Sequence, residues 1–142
     1  RPRTPNCRGT INRQALETTY YNDSGIQTRE IAGVQLDFEL RNNLLELFGA
    51  HADTVQIPAD VHVEITQLFV QSVGSRICAN QLCREIAARY QLDIEDVVKF
   101  LKQCIWTRKV RIDLFNTFLI DRPLRREVRD PLEVYADWFA RN

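Results

Sequence analysis

"NQLCREIAARYQLDIEDVVKFLKQ", residues 80–103, decides how the rest of this chain is read. Leu82, Ile86, Ala87 and Tyr90 recur at the spacing of one helical face, and Val97, Val98, Leu101, Cys104 and Ile105 form a second such stripe. Asn80 is the N-cap candidate of the first helix, Gln91 and Leu92 make the bend, and Asp93 caps a second helix that ends near Trp106. The second helix opens with three carboxylates, Asp93, Glu95 and Asp96. Acids in a first turn pair with unsatisfied N–H groups and with the positive end of the helix dipole, together worth on the order of 1 kcal/mol. A helix docked on DNA by its N-terminus would set the same acids against phosphate. That turn also lacks the Arg, Asn, Gln or Ser that base edges require.

Upstream, residues 60–73, "DVHVEITQLFVQSV", carry Val61, Ile65, Leu68, Phe69 and Val73 on one stripe, with Asp60 as cap and Gly74 and Ser75 as stop. His62 and Glu64 fall off that stripe and read as a solvated face. Residues 37–50, "DFELRNNLLELFGA", predict another helix on Leu40, Leu44, Leu47 and Phe48, with Gly49 as its end. Between these two helices, "HADTVQIPA" is a connection broken at Pro58. Residues 10–36 read as extended: "ETTYY" and "IQTREI" flank the turn-rich "NDSG", so a β-hairpin is the expectation, with a partner-bound arm as its rival. Residues 1–9, "RPRTPNCRG", are a flexible arm with three arginines.

Downstream, "RKVRIDL" alternates strictly. Val110, Ile112 and Leu114 face one way and Lys109, Arg111 and Asp113 the other, with "TFLID" able to return as a partner strand across "FN". The closing "RDPLEVYADWFARN" offers Asp130 as cap, Pro131 at the first helical position and Glu133 to close a capping box. Its Leu132, Tyr135, Trp138 and Phe139 make a stripe of large side chains that packs on the domain or on a partner.

The order helix, helix, helix, β-hairpin over residues 60–121 resembles a winged helix, a module of the helix-turn-helix superfamily. "LCREIAARYQLDIEDVVKFLKQ" looks like its second and third helices and "KVRIDLFNTFLID" like its wing. The likeness covers a little under half of the chain, and Gln91-Leu92-Asp93 stands where many such modules have glycine. It implies an α+β fold, mainly helical, with the winged-helix-like domain at 60–121. The hairpin and helix of 10–59 would precede it, and a C-terminal amphipathic helix within 122–142 would close it. In this superfamily the third helix usually enters the major groove while the wing meets the backbone or minor groove, though many members bind proteins instead.

Charge narrows the choice only locally. The 142 residues hold 19 basic and 19 acidic side chains, so there is no global pull toward nucleic acid or membrane. From residue 99 to 129, however, nine cations (Lys99, Lys102, Arg108, Lys109, Arg111, Arg122, Arg125, Arg126, Arg129) face only Asp113, Asp121 and Glu127. Lys99, Lys102, Lys109, Arg111, Arg125 and Arg126 are therefore the candidate contacts to nucleic acid or to an acidic protein surface.

Other chemistry finds little support. No GxGxxG or phosphate-loop run exists among five glycines, and His51 and His62 stand outside any triad spacing. Carboxylate pairs such as Asp37 and Glu39 read as solvated surface. Cys7, Cys78, Cys83 and Cys104 lack CxxC spacing, which suits free thiols in a reducing, intracellular compartment (cytoplasmic or nuclear) rather than a metal site. No cofactor is implied. No apolar run approaches the roughly 18 residues of a membrane span, and no signal peptide is visible. A chain that begins with Arg1 and holds no methionine reads as a fragment or processed product. The expectation is a non-catalytic interaction module, a protein–protein adaptor or assembly subunit, with a protein partner or further copies of itself. The alternative is a DNA-binding transcriptional regulator with a basic wing.

Overall fold

Helix α1, Phe38–His51, opens at Asp37, whose carboxylate accepts hydrogen bonds from the N–H groups of Glu39 (3.0 Å) and Leu40 (3.1 Å). This is the first element of the larger unit in a computed structural model that describes residues 15–17, 19–25 and 36–138. The chain divides into two units, Arg1–Ala32 and Gly33–Asn142.

In the first unit, residues 15–17 and 19–23 are helical and Ser24 and Gly25 turn. The expected hairpin is therefore corrected at "ETTYY"; its other arm, "IQTREI", lies outside the described residues. Ala15, Leu16 and Glu17 are good helix formers. The Thr19 hydroxyl donates back to the Ala15 carbonyl at 2.9 Å. Gly25 at φ +70 serves a helix C-terminus as readily as a hairpin turn. The β-branched and aromatic residues misled because their lower helix propensity is a weak bar to a short helix.

In the second unit four helices share one core. After α1 come α2 (His62–Ser72), α3 (Ala79–Tyr90) and α4 (Ile94–Trp106), and a single turn of helix, α5 (Pro131–Val134), lies near the end. Ile65 and Phe69 of α2, Leu82, Cys83 and Ile86 of α3, and Val97, Leu101, Cys104 and Ile105 of α4 are all buried, as their stripes require. Leu40 and Leu47 of α1 join the same core, while Phe48 does not. Each fully buried side chain of this size contributes roughly 1.5–3 kcal/mol relative to exposure.

The helix ends show where sequence patterns held. Asp93 caps α4, accepting from Glu95 N–H at 2.8 Å, and Asp130 caps α5, accepting from Leu132 N–H at 2.9 Å. Gln91 takes the left-handed conformation (φ +54) that glycine would otherwise supply, and Leu92 N–H closes on the Ala87 carbonyl. Three ends differ. Gly49 does not stop α1, which runs on to His51. Asp60 lies inside a 3₁₀ turn, Ala59–Val61, rather than capping α2. Asn80 is the second residue of α3.

The expected α+β winged helix is contradicted. Among the described residues there is no β-strand, only two isolated bridges, Cys78–Pro123 and Ile112–Arg126. The alternation of residues 109–114 holds in its burial only in part: Val110, Ile112 and Leu114 point into the core and Lys109 and Arg111 outward, but Asp113, expected outside, is buried. Its backbone bonds go elsewhere. Val110 N–H donates to Cys104 O and Asp113 N–H to Arg125 O, while Phe115 and Phe118 N–H donate to the side chains of Asp113 and Asn43. The returning segment is also occupied. Ala79 N–H donates to Arg122 O (3.0 Å), Asn80 N–H to Ile120 O (2.7 Å) and Gly74 N–H to Leu124 O (2.8 Å). Residues 120–122 therefore close the open N-terminus of α3, which has no side-chain cap, while the Leu124 carbonyl takes the N–H of Gly74 after α2, so this segment is not left to pair as a strand.

The thiols of Cys78, Cys83 and Cys104 are free. Burial pushes the Cys83 thiol up to about 12 and also raises that of Cys104, against a lowering hydrogen bond from Thr66. No helix of the described residues is long and apolar enough to cross a membrane.

Candidate interaction surface

The part of α4 that a DNA reader would expose beyond its first turn is instead held by α1. Lys102 Nζ lies 2.9 Å from Glu46 Oε1. The Gln103 amide donates to the carbonyls of Ala50 (3.1 Å) and Asp53 (2.7 Å). Trp106 packs against Phe48 and His51, each with ring centroids 5.6 Å away. Only the acidic first turn of α4 stays open: Asp93 and Glu95 are exposed and Asp96 is half-buried. Lys99 is half-buried beside Glu46 and Asp53 in a shallow depression between α1 and α4.

The expected basic stretch is divided by its contacts. Arg108 reaches Glu127 (2.5 Å) and Asp130 (3.1 Å), and Arg111 reaches the same two carboxylates at 2.7 Å each. Glu127 and Asp130 are largely covered, at 11% and 16% side-chain exposure, so this four-membered cluster fastens the end of α4 to the start of α5. Arg108 holds φ +64 there. Arg129 lies over the Phe115 ring at 4.1 Å. Of the six candidate cations, Lys102 and Arg111 are thus engaged within the fold. Lys109, Arg125 and Arg126 are exposed and form no ion pair among the described residues. Arg122, outside the expected set, shares that property.

The C-terminal aromatic stripe is divided too. Tyr135 is half-buried: its hydroxyl accepts from Asp37 N–H at 3.0 Å and its ring stacks on Phe115 and meets Trp138 at 4.4 Å. Leu132 is 60% exposed, and Phe139 lies outside the described residues. His62 is also corrected: it is half-buried, donates to the Ile57 carbonyl and packs on Phe100 at 4.8 Å. Glu64 does stay outside, facing Arg89 at 3.5 Å.

What sequence reasoning missed is the outer side of α1. Phe38, Leu45 and Phe48 are 70%, 60% and 60% exposed, and they lie opposite Leu40, Asn43, Leu47 and Ala50, which face the core. The signal was present as apolar residues on both sides of one helix, whereas a single stripe suffices for packing. Asn43 was also missed. It is buried, donates at 2.8 Å to the carbonyls of both Leu114 and Asn116, and accepts from Phe118 N–H at 3.0 Å. It fixes the 114–118 loop, whose shape Asp113 completes by accepting from Phe115 N–H and the Asn116 amide.

Among the described residues no group of three or more His, Cys, Asp or Glu is placed to hold a metal ion. Compared with known proteins, the chain matches no family model, no curated protein and no solved structure, so these residues are read on their own chemistry.

Proposed function

We propose that this chain is a non-catalytic protein-interaction module, an adaptor or assembly subunit, that offers the outer face of α1 to a protein partner. The observation that carries the reading is the seat of α1. It lies over the Lys102–Trp106 half of α4 and turns Phe38, Leu45 and Phe48 to water. Three large apolar side chains on one exposed helix face are the anchors a helix-in-groove or helix-on-helix contact uses. The acidic opening of α4 supports the same reading, since it repels phosphate and does not repel a protein surface.

The test is the size of the assembly formed by the tagged full chain in its cell of origin, compared with Phe38→Asp combined with Leu45→Asp. Both residues are exposed, so the melting curve of the pair should match the parent within about 0.5 kcal/mol. The parent should elute in a larger complex and the double variant at its own mass. Unchanged elution of the variant refutes the reading.

Nucleic-acid binding is the second reading, favoured by the open cations Lys109, Arg122, Arg125 and Arg126. It carries its own number. Four phosphate contacts give a salt slope of about −3.6, or roughly 150-fold weaker binding between 50 and 200 mM salt. Six free cations would give about −5.4. A random duplex bound with the smaller slope, and released by Lys109→Glu with Arg125→Glu, would establish this reading in place of the first.

A further inference from the structure

We infer that the pocket between residues 112–119 and 122–125 is a binding site for an acidic peptide segment bearing a large apolar side chain. The pocket holds about 550 Å³. Its apolar wall includes Phe118, Leu119 and Leu124, of which Phe118 and Leu124 are buried and Leu119 is 48% exposed. Arg122 and Arg125 line it as well; both are exposed, and neither is in an ion pair among the described residues.

The one carboxylate of the pocket does not satisfy them. Asp113 is 9% exposed and is turned to Phe115 N–H and to the Asn116 amide. Two guanidinium groups are therefore left to a ligand. Their forked donors favour carboxylates over other peptide groups.

The shape of the wall chooses among anions. A free phosphate would use the arginines and leave the apolar wall wet. Single-stranded nucleic acid would want an exposed aromatic face on which to stack, and Phe118, the aromatic side chain of this pocket, is 7% exposed. A peptide with an acid beside a Leu or Phe side chain meets both the two arginines and Leu119, the part of the apolar wall that reaches solvent. The walls are also fixed in advance, because Asn43 holds 114–118 from α1 and the N-terminus of α3 holds 120–122. Less ordering then accompanies binding.

The inference rests on the protein-interaction reading for its choice of peptide, yet its site is separate from the α1 face, so the two fail separately. The probes are two fluorescently labelled short peptides added to the full chain. One alternates Asp or Glu with Leu or Phe, and the other carries Lys in place of each acid. The acidic peptide should bind saturably and shift the backbone amide signals of residues 112–125. Arg122→Glu with Arg125→Glu should weaken it at least about tenfold. Leu119→Asn should weaken it as well, because it removes the exposed apolar contact without changing the charge. Leu45→Asp should leave it unchanged. Absence of binding, equal binding of the two peptides, or full affinity in the arginine variant would overturn the proposal. So would competition by inorganic phosphate or a DNA oligonucleotide as effective as unlabelled peptide.

Discussion

Asn43→Ala is the substitution that most directly tests how α1 organises the loop beneath it. The Asn43 side chain is buried and uses both amide protons and its oxygen, all toward backbone of residues 114–118. Removing it deletes three hydrogen bonds, each worth about 1 kcal/mol net, and leaves Phe118 N–H without its acceptor in the interior. The loss is then about 3–4 kcal/mol, a large share of the 5–15 kcal/mol typical of a domain. With a urea slope of about 1.5 kcal/mol per molar, the midpoint should fall by roughly 2 M. Asn42→Ala, one position away and exposed, should move it by no more than about 0.3 M, corresponding to 0.5 kcal/mol. Asn43→Asp adds a sign. An ionised carboxylate still accepts from Phe118 N–H, but it sets its second oxygen against two carbonyl oxygens; only the protonated form donates to one of them. The folded pKa of the new carboxyl is raised above the free value of about 3.9. Its variant is therefore nearest the parent in stability below about pH 4 and falls behind as pH rises through the raised value. Urea unfolding followed by circular dichroism at pH 4 and pH 7 measures both effects. A midpoint shift under about 0.5 M for Asn43→Ala, or the same gap between Asn43→Asp and parent at both pH values, refutes the role given to this amide.

Glu127→Ala removes a carboxylate shared by Arg108 and Arg111 and should cost about 2 kcal/mol by urea unfolding, with the cost largely kept in salt because the carboxylate is 11% exposed. Gly74→Ala meets two obstacles, a φ of +80 and contact of the added Cβ with the Arg126 side chain. It should cost about 1–2 kcal/mol, and adding Arg126→Ala should recover the steric part while the backbone part remains. Cys83, with its thiol pushed up to about 12 from 9.0, stabilises the fold fully below pH 9, and that contribution falls away as pH rises toward 12. In a Cys83→Ser comparison the parent should lose about 1.4 kcal/mol per pH unit across that window relative to the variant, and its Cys83 should resist thiol reagents until unfolding.

The helices were legible and the wing was not, and one cause accounts for both. Helical stripes state which side chains are buried and also where the backbone bonds go, since a helix satisfies itself. Val97, Leu101, Cys104 and Ile105 could therefore be placed from spacing alone, as could the caps Asp93 and Asp130. Alternation states only which side chains are buried. Val110, Ile112 and Leu114 do point inward, yet nothing in their spacing reveals that the N–H of 110 would close the end of α4 or that the carbonyls of 120 and 122 would close the start of α3. A strand needs a partner, and here the backbone groups available for one had helix termini to satisfy.

The same limit governs the charge reading. A window from 99 to 129 counts its own acids, but the anions that matter to it come partly from outside. Glu46 of α1 takes Lys102, and Asp130, one residue past the window, joins Glu127 in holding Arg108 and Arg111. Three of nine cations are thereby committed to joining elements of the fold, and Arg129 to covering an aromatic ring. The charge left open falls on Lys109, Arg122, Arg125 and Arg126, and Arg122 and Arg125 line a pocket of mixed polar and apolar surface. Two open arginines beside an exposed leucine discriminate among acidic peptides by side-chain shape, which a broad basic face cannot do. That is why the open arginines are assigned to protein recognition.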